Sequence, residues 1–372
     1  MEFLWKSLKS DLSAADRLMF FCALTLSMWG VFCIFSAASG TSGRGFDLAV
    51  RQGAWLAFSI FTMLFIMVVG HRKFLEGAYP LYGLTLLLLF LTALLAPKVN
   101  GAQSWLGVGG IRFQPSEFAK VTIILTMSKF FSRYPPLDFK SFMAGLGLIM
   151  LPVLLVLMQP DAGSALVYLV ISFGMLLAAG TPLKYLFGLV GLGVSAIPIM
   201  IIFFLKEYQK NRILVFLDPM RDPLGAGYNV IQSRIAVGSG GFLGKGFMMG
   251  TQSKLKFLPE PHTDFIFSVF SEEFGFVGNI LLILLFSLLL FRVIIAGFRS
   301  RDRRCKILVT GVASWLWFQM FESIGMSIGL TPVTGLPLPF LSYGGSSLLA
   351  IFSALGLVAS VYVEGAESKY IL

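Results

Sequence analysis

The chain has 372 residues, 56% hydrophobic and 13% charged, with a mean hydropathy of +0.83 and a formal net charge of +10. Soluble domains carry roughly 25% charged residues, so this composition excludes a soluble enzyme and defines an all-α polytopic membrane protein built as one domain. The surplus of lysine and arginine then serves orientation, and no nucleic-acid partner is expected.

Residues 1–17 are polar and of mixed charge. The apolar run from Leu18 to about Ser36 has the length of a span rather than of a signal-peptide core, although "SAASG" at 36–40 offers the small residues a peptidase favours. Further apolar runs lie near 54–70, 79–96, 115–133, 141–158, 163–180, 183–205, 265–296, 307–329 and 341–363. Together they predict about ten transmembrane helices. The stretch 141–205 is the least sharply divided, because Pro152, Pro160, Pro182 and Pro198 interrupt it. Cys22 and Cys33 stand on one predicted helix, about 16 Å apart, too far to bridge. Cys305 falls in a basic loop, and all three read as free thiols.

The short loops set the orientation. Lys6, Lys9 and Arg17 precede the first span, His71, Arg72 and Lys73 follow the second, and Arg133 and Lys140 flank the loop after the fourth. "RSRDRRCK" at 299–306 follows the eighth, with five basic residues and one acid. With ten spans these all share one side, which places both termini in the cytoplasm. Two longer segments then lie outside, 97–114 and a large extracytoplasmic loop at about 206–263. The second holds eight basic residues against four acidic ones. Long loops are exempt from the topology rule, and a basic outer loop suits either an anionic lipid substrate or a solvated face meeting anionic lipid. Within it, "RILVFLDP" and "YNVIQSRIAVGS" are expected to lie on the bilayer as short amphipathic pieces. "GSGGFLGKGF" (238–247) lacks the residues of a phosphate-binding P-loop, since Ser239 stands where glycine is required and Gly246 follows Lys245. It reads as a flexible turn.

Four stretches carry polar groups with chemical potential. In "RFQPSEFAK" (112–120), Pro115 suits a first helical turn, with Gln114 or Ser116 as cap. Glu117 and Lys120, three apart, share a face and are placed to pair. Ionisable residues inside a span default to a functional reading, with a snorkelling interfacial pair as the alternative. "LMQPDAGSA" (157–165) sets Gln159 and Asp161 in an outer turn, where Pro-Asp before small residues most often forms an N-cap. In "EPHTDFIFSVFSEEFG" (260–275), Asp264 opens the eighth span, and Ser268 and Glu272 follow it at i+4 and i+8. Spacing reads Asp264 equally as a helix cap or as a catalytic acid-base group. Neither histidine has a Cys/His cluster beside it, which argues against zinc. The sequence fixes no cofactor and no metal ligand, and leaves room for a divalent cation, magnesium or manganese, held by carboxylate and phosphate oxygens. "TPVTGLPLPFLSYGGSS" (331–347) cannot be a regular helix, so at membrane depth it must be enclosed by protein or line a polar cavity. No GxSxG or Ser-His-Asp pattern appears.

The ordered motifs "SWLGVGGIRFQPSEFAK", "QPDAGSA", "DPLGAGYNVIQSRIAVGSGGFLGKGF", "GTQSKLKFLPEPHTDFIFSVFSEEFG" and "GLPLPFLSYGGSS" resemble the bacterial SEDS family (shape, elongation, division and sporulation), from about residue 100 to 362. Within it they are more similar to the RodA branch than to FtsW. The resemblance implies the SEDS fold and a peptidoglycan glycosyltransferase of the bacterial inner membrane. Such an enzyme polymerises lipid II on the outer leaflet and releases undecaprenyl pyrophosphate. It implies Asp264 as general base, and Arg112, Glu117, Lys120, Gln159, Asp161, Arg212 and Ser342 as substrate-binding residues, with Arg112 or Arg212 facing the leaving pyrophosphate. A class B penicillin-binding protein is the implied partner, besides membrane lipids. A helix dipole lowers the pKa of an acid at its start, whereas a base near neutral pH needs a higher one, so Glu272 and a dry cavity are expected to raise that of Asp264. The competing reading is a lipid II flippase, which would show paired midplane polar features and repeat symmetry. Neither is visible in the sequence.

Overall fold

The computed structural model describes residues 15–41, 44–97, 103–108, 111–199, 210 and 214–367. Arg17–Thr41 (α1) and Gly45–Val69 (α2) lead into the short His71–Glu76 (α3) and then Ala78–Leu95 (α4). Leu106–Val108 (β1) and Ile111–Phe113 (β2) form an antiparallel hairpin in which Gly107 pairs with Arg112. Pro115–Arg133 (α5), Phe139–Met158 (α6), Ala162–Ala178 (α7) and Leu183–Ile199 (α8) follow. In the large loop lie Ala226–Ser239 (α9) and the single turn Thr251–Lys254 (α10), before Ile266–Arg299 (α11), Arg303–Ile328 (α12) and Gly345–Glu367 (α13).

Seven of these, α1, α2, α4, α6, α11, α12 and α13, are long and apolar enough to cross a membrane. The chain is thus a multi-pass helical membrane protein. The expected ten spans are reached only by adding α7 and α8, which are apolar but shorter, and α5, which carries Glu117, Lys120, Lys129 and Arg133. The second span starts at Gly45 rather than near 54, because Arg51 and Gln52 are accommodated in its first turns. Of the four prolines in 141–205, Pro152 lies within α6 and Pro198 within α8, whereas Pro160 and Pro182 fall between helices.

Most spanning helices turn one face to lipid, whereas α13 is enclosed nearly all round. Its run from Ala350 to Val363 packs against α2, α5 and α11. Association of helices in lipid depends on close packing rather than on the hydrophobic effect. Gly356 illustrates this, since a Cβ there would come within 2.7 Å of Met63 O on α2.

At 34 residues α11 is about 51 Å long, well beyond a hydrocarbon core of about 30 Å. It breaks at Gly275, where φ is 65° and ψ −162°, a conformation open only to glycine. Before the break, residues 266–273 are all buried, and the exposed apolar side chains begin at Phe276. The glycine-rich segment 240–246 repairs the interrupted backbone. Lys245 N and Gly246 N donate to Glu272 O and Glu273 O, both at 3.0 Å, while Phe276 N and Val277 N donate to Gly241 O (2.9 Å) and Phe242 O (3.1 Å). The expected flexible turn is therefore a docked plug, held because backbone groups freed at membrane depth need partners.

Candidate active site

The stretch 260–264 turns tightly ahead of α11, and Phe265 occupies the cap position, with no side-chain cap hydrogen bond. Asp264 stands one residue before that cap position. Its half-buried carboxylate lies against the 331–344 strap, with Oδ2 3.4 Å from where a Cβ on Gly335 would stand. Gly335 has φ of 73°, so bare backbone meets the acid there. The strap is fastened to this turn at several points. Ser342 Oγ donates to Thr263 O (2.7 Å) and accepts from Leu338 N (2.8 Å), and Tyr343 N donates to His262 O (2.9 Å). From α2, Gln52 Nε2 donates to Ser342 O (3.3 Å) and Gln52 Oε1 accepts from Gly344 N (3.2 Å). Burial pushes the His262 imidazole below its ordinary pKa, so the residue beside the acid is neutral at neutral pH.

The same strap joins a second polar centre. Pro337 O accepts from Gln319 Nε2 of α12 at 2.8 Å. Gln319 Oε1 accepts from Trp315 Nε1 (2.6 Å) and from Lys120 Nζ (3.2 Å). Lys120 pairs with Glu117 Oε1 at 2.6 Å and lies over the Trp315 ring at 5.1 Å. Both partners of the pair are buried, as the i, i+3 spacing on one face anticipates, and the snorkelling alternative fails. Glu117 Oε2 has no hydrogen-bond partner among the described residues. Glu322, one turn beyond Gln319 and also buried, accepts from Thr334 Oγ1 at 3.0 Å. Asp264 and the Lys120–Glu117 pair are thus joined through one irregular segment.

The remaining expected site residues divide. Asp161 caps α7, accepting from Ser164 N (2.9 Å) and Ser164 Oγ (2.7 Å), so the cap reading holds there. Gly163 on the first turn of α7 fits against Leu336 and the carbonyl of Thr334 in the strap. Gln159 is buried and braces α4, donating to Leu89 O at 2.9 Å. The Ser342 hydroxyl, expected to meet substrate, gives its proton to Thr263 O of the turn and accepts from Leu338 N of the strap. Arg112 stands on β2, and Arg212 lies outside the described residues. At the start of α5, Gln114 is the cap residue but makes no side-chain cap, and Ser116 Oγ has no hydrogen-bond partner among the described residues.

Glu272 is tied to the large loop. Its carboxylate accepts from Lys245 Nζ (2.6 Å), Thr251 N (2.8 Å) and Thr251 Oγ1 (2.9 Å), clamping the large loop to α11. Ser268 turns to Ser233 of α9, with their hydroxyls 2.6 Å apart. That contact, and Ser233 Oγ donating to Ser327 O (2.6 Å), seat α9 on the bundle rather than on the bilayer. Glu273 accepts from Ser36 of α1. Cys305, expected in a loop, is buried in α12, with Sγ 3.3 Å from His71 Nε2. Among the described residues no three His, Cys, Asp or Glu side chains gather into a metal-holding set. A divalent cation at the site would draw on substrate oxygens besides protein carboxylates. Gln319, Glu322 and Trp315 were not singled out by the motifs. The first two are polar residues three apart within an apolar span, the same signal that exposes Glu117 and Lys120.

A helical membrane protein that encloses ionisable groups beneath an irregular, protein-covered strap belongs with chains that work on a substrate at the membrane. The particular family follows from comparison. The family model FtsW/RodA/SpoVE, described as a cell cycle protein, matches residues 16–367, and the chain belongs to this family, as the SEDS resemblance implies. It is 37% identical over 351 residues to peptidoglycan glycosyltransferase MrdB of Escherichia coli K12, covering 94% of each chain. It is 36% identical over 369 residues to stage V sporulation protein E of Bacillus subtilis, covering 94% of this chain and 97% of that one. Among solved structures it is similar to the rod shape determining protein RodA of Thermus thermophilus, with a TM-score of 0.71, 30% identity and coverage of 94% and 96%. It is also similar to a chain from a peptidoglycan synthase complex that coordinates polymerization and crosslinking, with a TM-score of 0.80, 35% identity and coverage of 94% and 98%.

Proposed function

We propose that the chain is a peptidoglycan glycosyltransferase that polymerises lipid II on the outer face of the bacterial inner membrane, with both termini in the cytoplasm and the 206–263 loop outside. The observation that carries the reading is Asp264. Its carboxylate lies against the bare backbone of Gly335, in the same strap that joins Gln319 and, through it, Lys120. Family membership and relatives named peptidoglycan glycosyltransferase support it. Asp264 takes the proton from the 4-hydroxyl of the acceptor sugar as that oxygen bonds to the donor's anomeric carbon. The bond to undecaprenyl pyrophosphate breaks with its electron pair on the leaving phosphate. Proton transfer of this kind contributes about 10²–10⁴-fold.

Arg112, Arg212 and the other basic residues of the outer segments neutralise the pyrophosphate. Lys120 and Glu117 act mainly through the strap, whose height they set via Gln319, and Glu117 Oε2 remains to accept a substrate donor. A class B penicillin-binding protein cross-links the strands. The similar synthase complex supports such a partner.

Purified protein given labelled lipid II, with and without the transpeptidase, tests this. Glycan polymer is expected from the native chain and at least about 100-fold less from Asp264→Asn. Native-rate polymer from the variant removes Asp264 as base. Movement of lipid II across vesicles with no polymer in any mixture would identify a flippase instead.

A further inference from the structure

We propose that the tip of the glycine-rich plug, formed by Phe242, Leu243, Phe247 and Met249, is a membrane anchor seated among the acyl chains of the outer leaflet. The docking described above fixes where this tip lies. Its backbone is bonded to α11 on both sides of the Gly275 break, and that break is where the exposed apolar face of α11 begins. Large apolar side chains exposed on a membrane-spanning helix mark its lipid-facing surface. Phe276 is 55% exposed, and Met28 and Phe32 of α1 are exposed likewise.

The tip continues this surface without a gap. Phe242 stacks on Phe276 with centroids 5.9 Å apart, and Phe247 meets Phe32 edge-on at 6.3 Å. Phe242 is 68% exposed, Leu243 75% and Met249 64%, a contiguous apolar patch of the kind that soluble surfaces rarely carry. The patch therefore extends the lipid belts of two spanning helices into the loop.

Charge decides which part of the lipid it meets. Lys245, the one cation between Gly238 and Met249, is held by Glu272 Oε1 and Thr251 Oγ1 and so does not reach for phosphate. Contact is with acyl chains, and it should be insensitive to salt, unlike binding to anionic headgroups. Seating the tip also sets the depth of α11 and with it the height of Asp264, eleven residues before the break, relative to the lipid surface. The inference rests on the membrane-spanning fold and the proposed orientation, and not on the proposed activity.

Full-length chain carrying Leu243→Cys, and separately Met249→Cys, is reconstituted in phosphatidylethanolamine–phosphatidylglycerol vesicles and labelled with bimane. The three native cysteines are buried, so the new thiol reacts alone. Ile280→Cys, on the exposed face of α11, and Arg221→Cys, exposed in the loop, calibrate lipid and water. Nitroxide placed on the acyl chain is expected to quench both tip labels to within about twofold of the Ile280 label, unchanged from low to high salt. Aqueous iodide should leave them untouched. Iodide quenching equal to that at Arg221 overturns the proposal. So does protection from both quenchers, which would mean that protein, a second copy or another chain, covers the tip.

Discussion

Replacing Lys120 by methionine tests whether the buried polar centre is held as a charged pair. The ammonium is fully buried, 2.6 Å from Glu117 Oε1 and 3.2 Å from Gln319 Oε1. At an effective dielectric constant of about 20, attraction at that separation is about 6 kcal/mol, offset in large part by the desolvation of both ions. Losing one partner is worse than losing both. Lys120→Met strands the Glu117 carboxylate with neither oxygen paired, since Oε2 already has no partner among the described residues. The expected cost is about 3–5 kcal/mol. Glu117→Gln should cost a similar amount, because the buried ammonium then has neutral amide oxygens and the Trp315 face but no counter-charge. The double variant removes both charges and should cost far less than the sum, giving a coupling of about 2 kcal/mol or more. Reversible unfolding of the four proteins in mixed micelles measures this. Additive effects within about 0.5 kcal/mol, or a cost below about 1 kcal/mol for Lys120→Met, would refute the reasoning.

Three further outcomes follow from particular contacts. Gly275→Ala forces a side chain into the φ 65° conformation and against Gly244 N, so it should cost more than the about 1–3 kcal/mol of backbone strain, read as a fall in unfolding temperature. Ser342→Ala leaves Leu338 N and Thr263 O without their partner, a loss of about 1–3 kcal/mol. Because it loosens the turn carrying Asp264, turnover at saturating lipid II should fall while Glu117 and Lys120 remain paired. For His262, burial lowers the folded-state pKa, so the unfolded chain takes up its proton first. Its contribution is complete above about pH 6.5 and is lost as pH falls through the lower folded value. His262→Asn should flatten the pH dependence of unfolding in that window. A residual slope is expected from His71, whose pKa is depressed in the same direction by burial.

What the sequence made legible, and what it hid, follows the reach of each contact. Glu117 and Lys120 lie three residues apart on one helix, so spacing alone predicts that they meet. Asp161 with Ser164 is equally local, and the cap was readable. Lys120 with Gln319 spans 199 residues, Ser342 with Thr263 spans 79, and Gln52 with Ser342 spans 290. Nothing in the spacing of one segment announces a partner at that distance. The neighbour of Asp264 at Gly335 likewise belongs to another segment, so spacing leaves the acid equally a cap or a catalyst. The glycine-rich plug shows the physical side of the same limit. A missing Cβ permits flexibility in a solvated loop, and it equally permits one backbone to lie directly on another. Gly244 and Gly275 use the second property, because α11 breaks there and its freed amides and carbonyls must find partners inside the membrane. Glycine content records only that the backbone is bare. The interrupted helix ten residues into the eighth span decides that bareness here means docking.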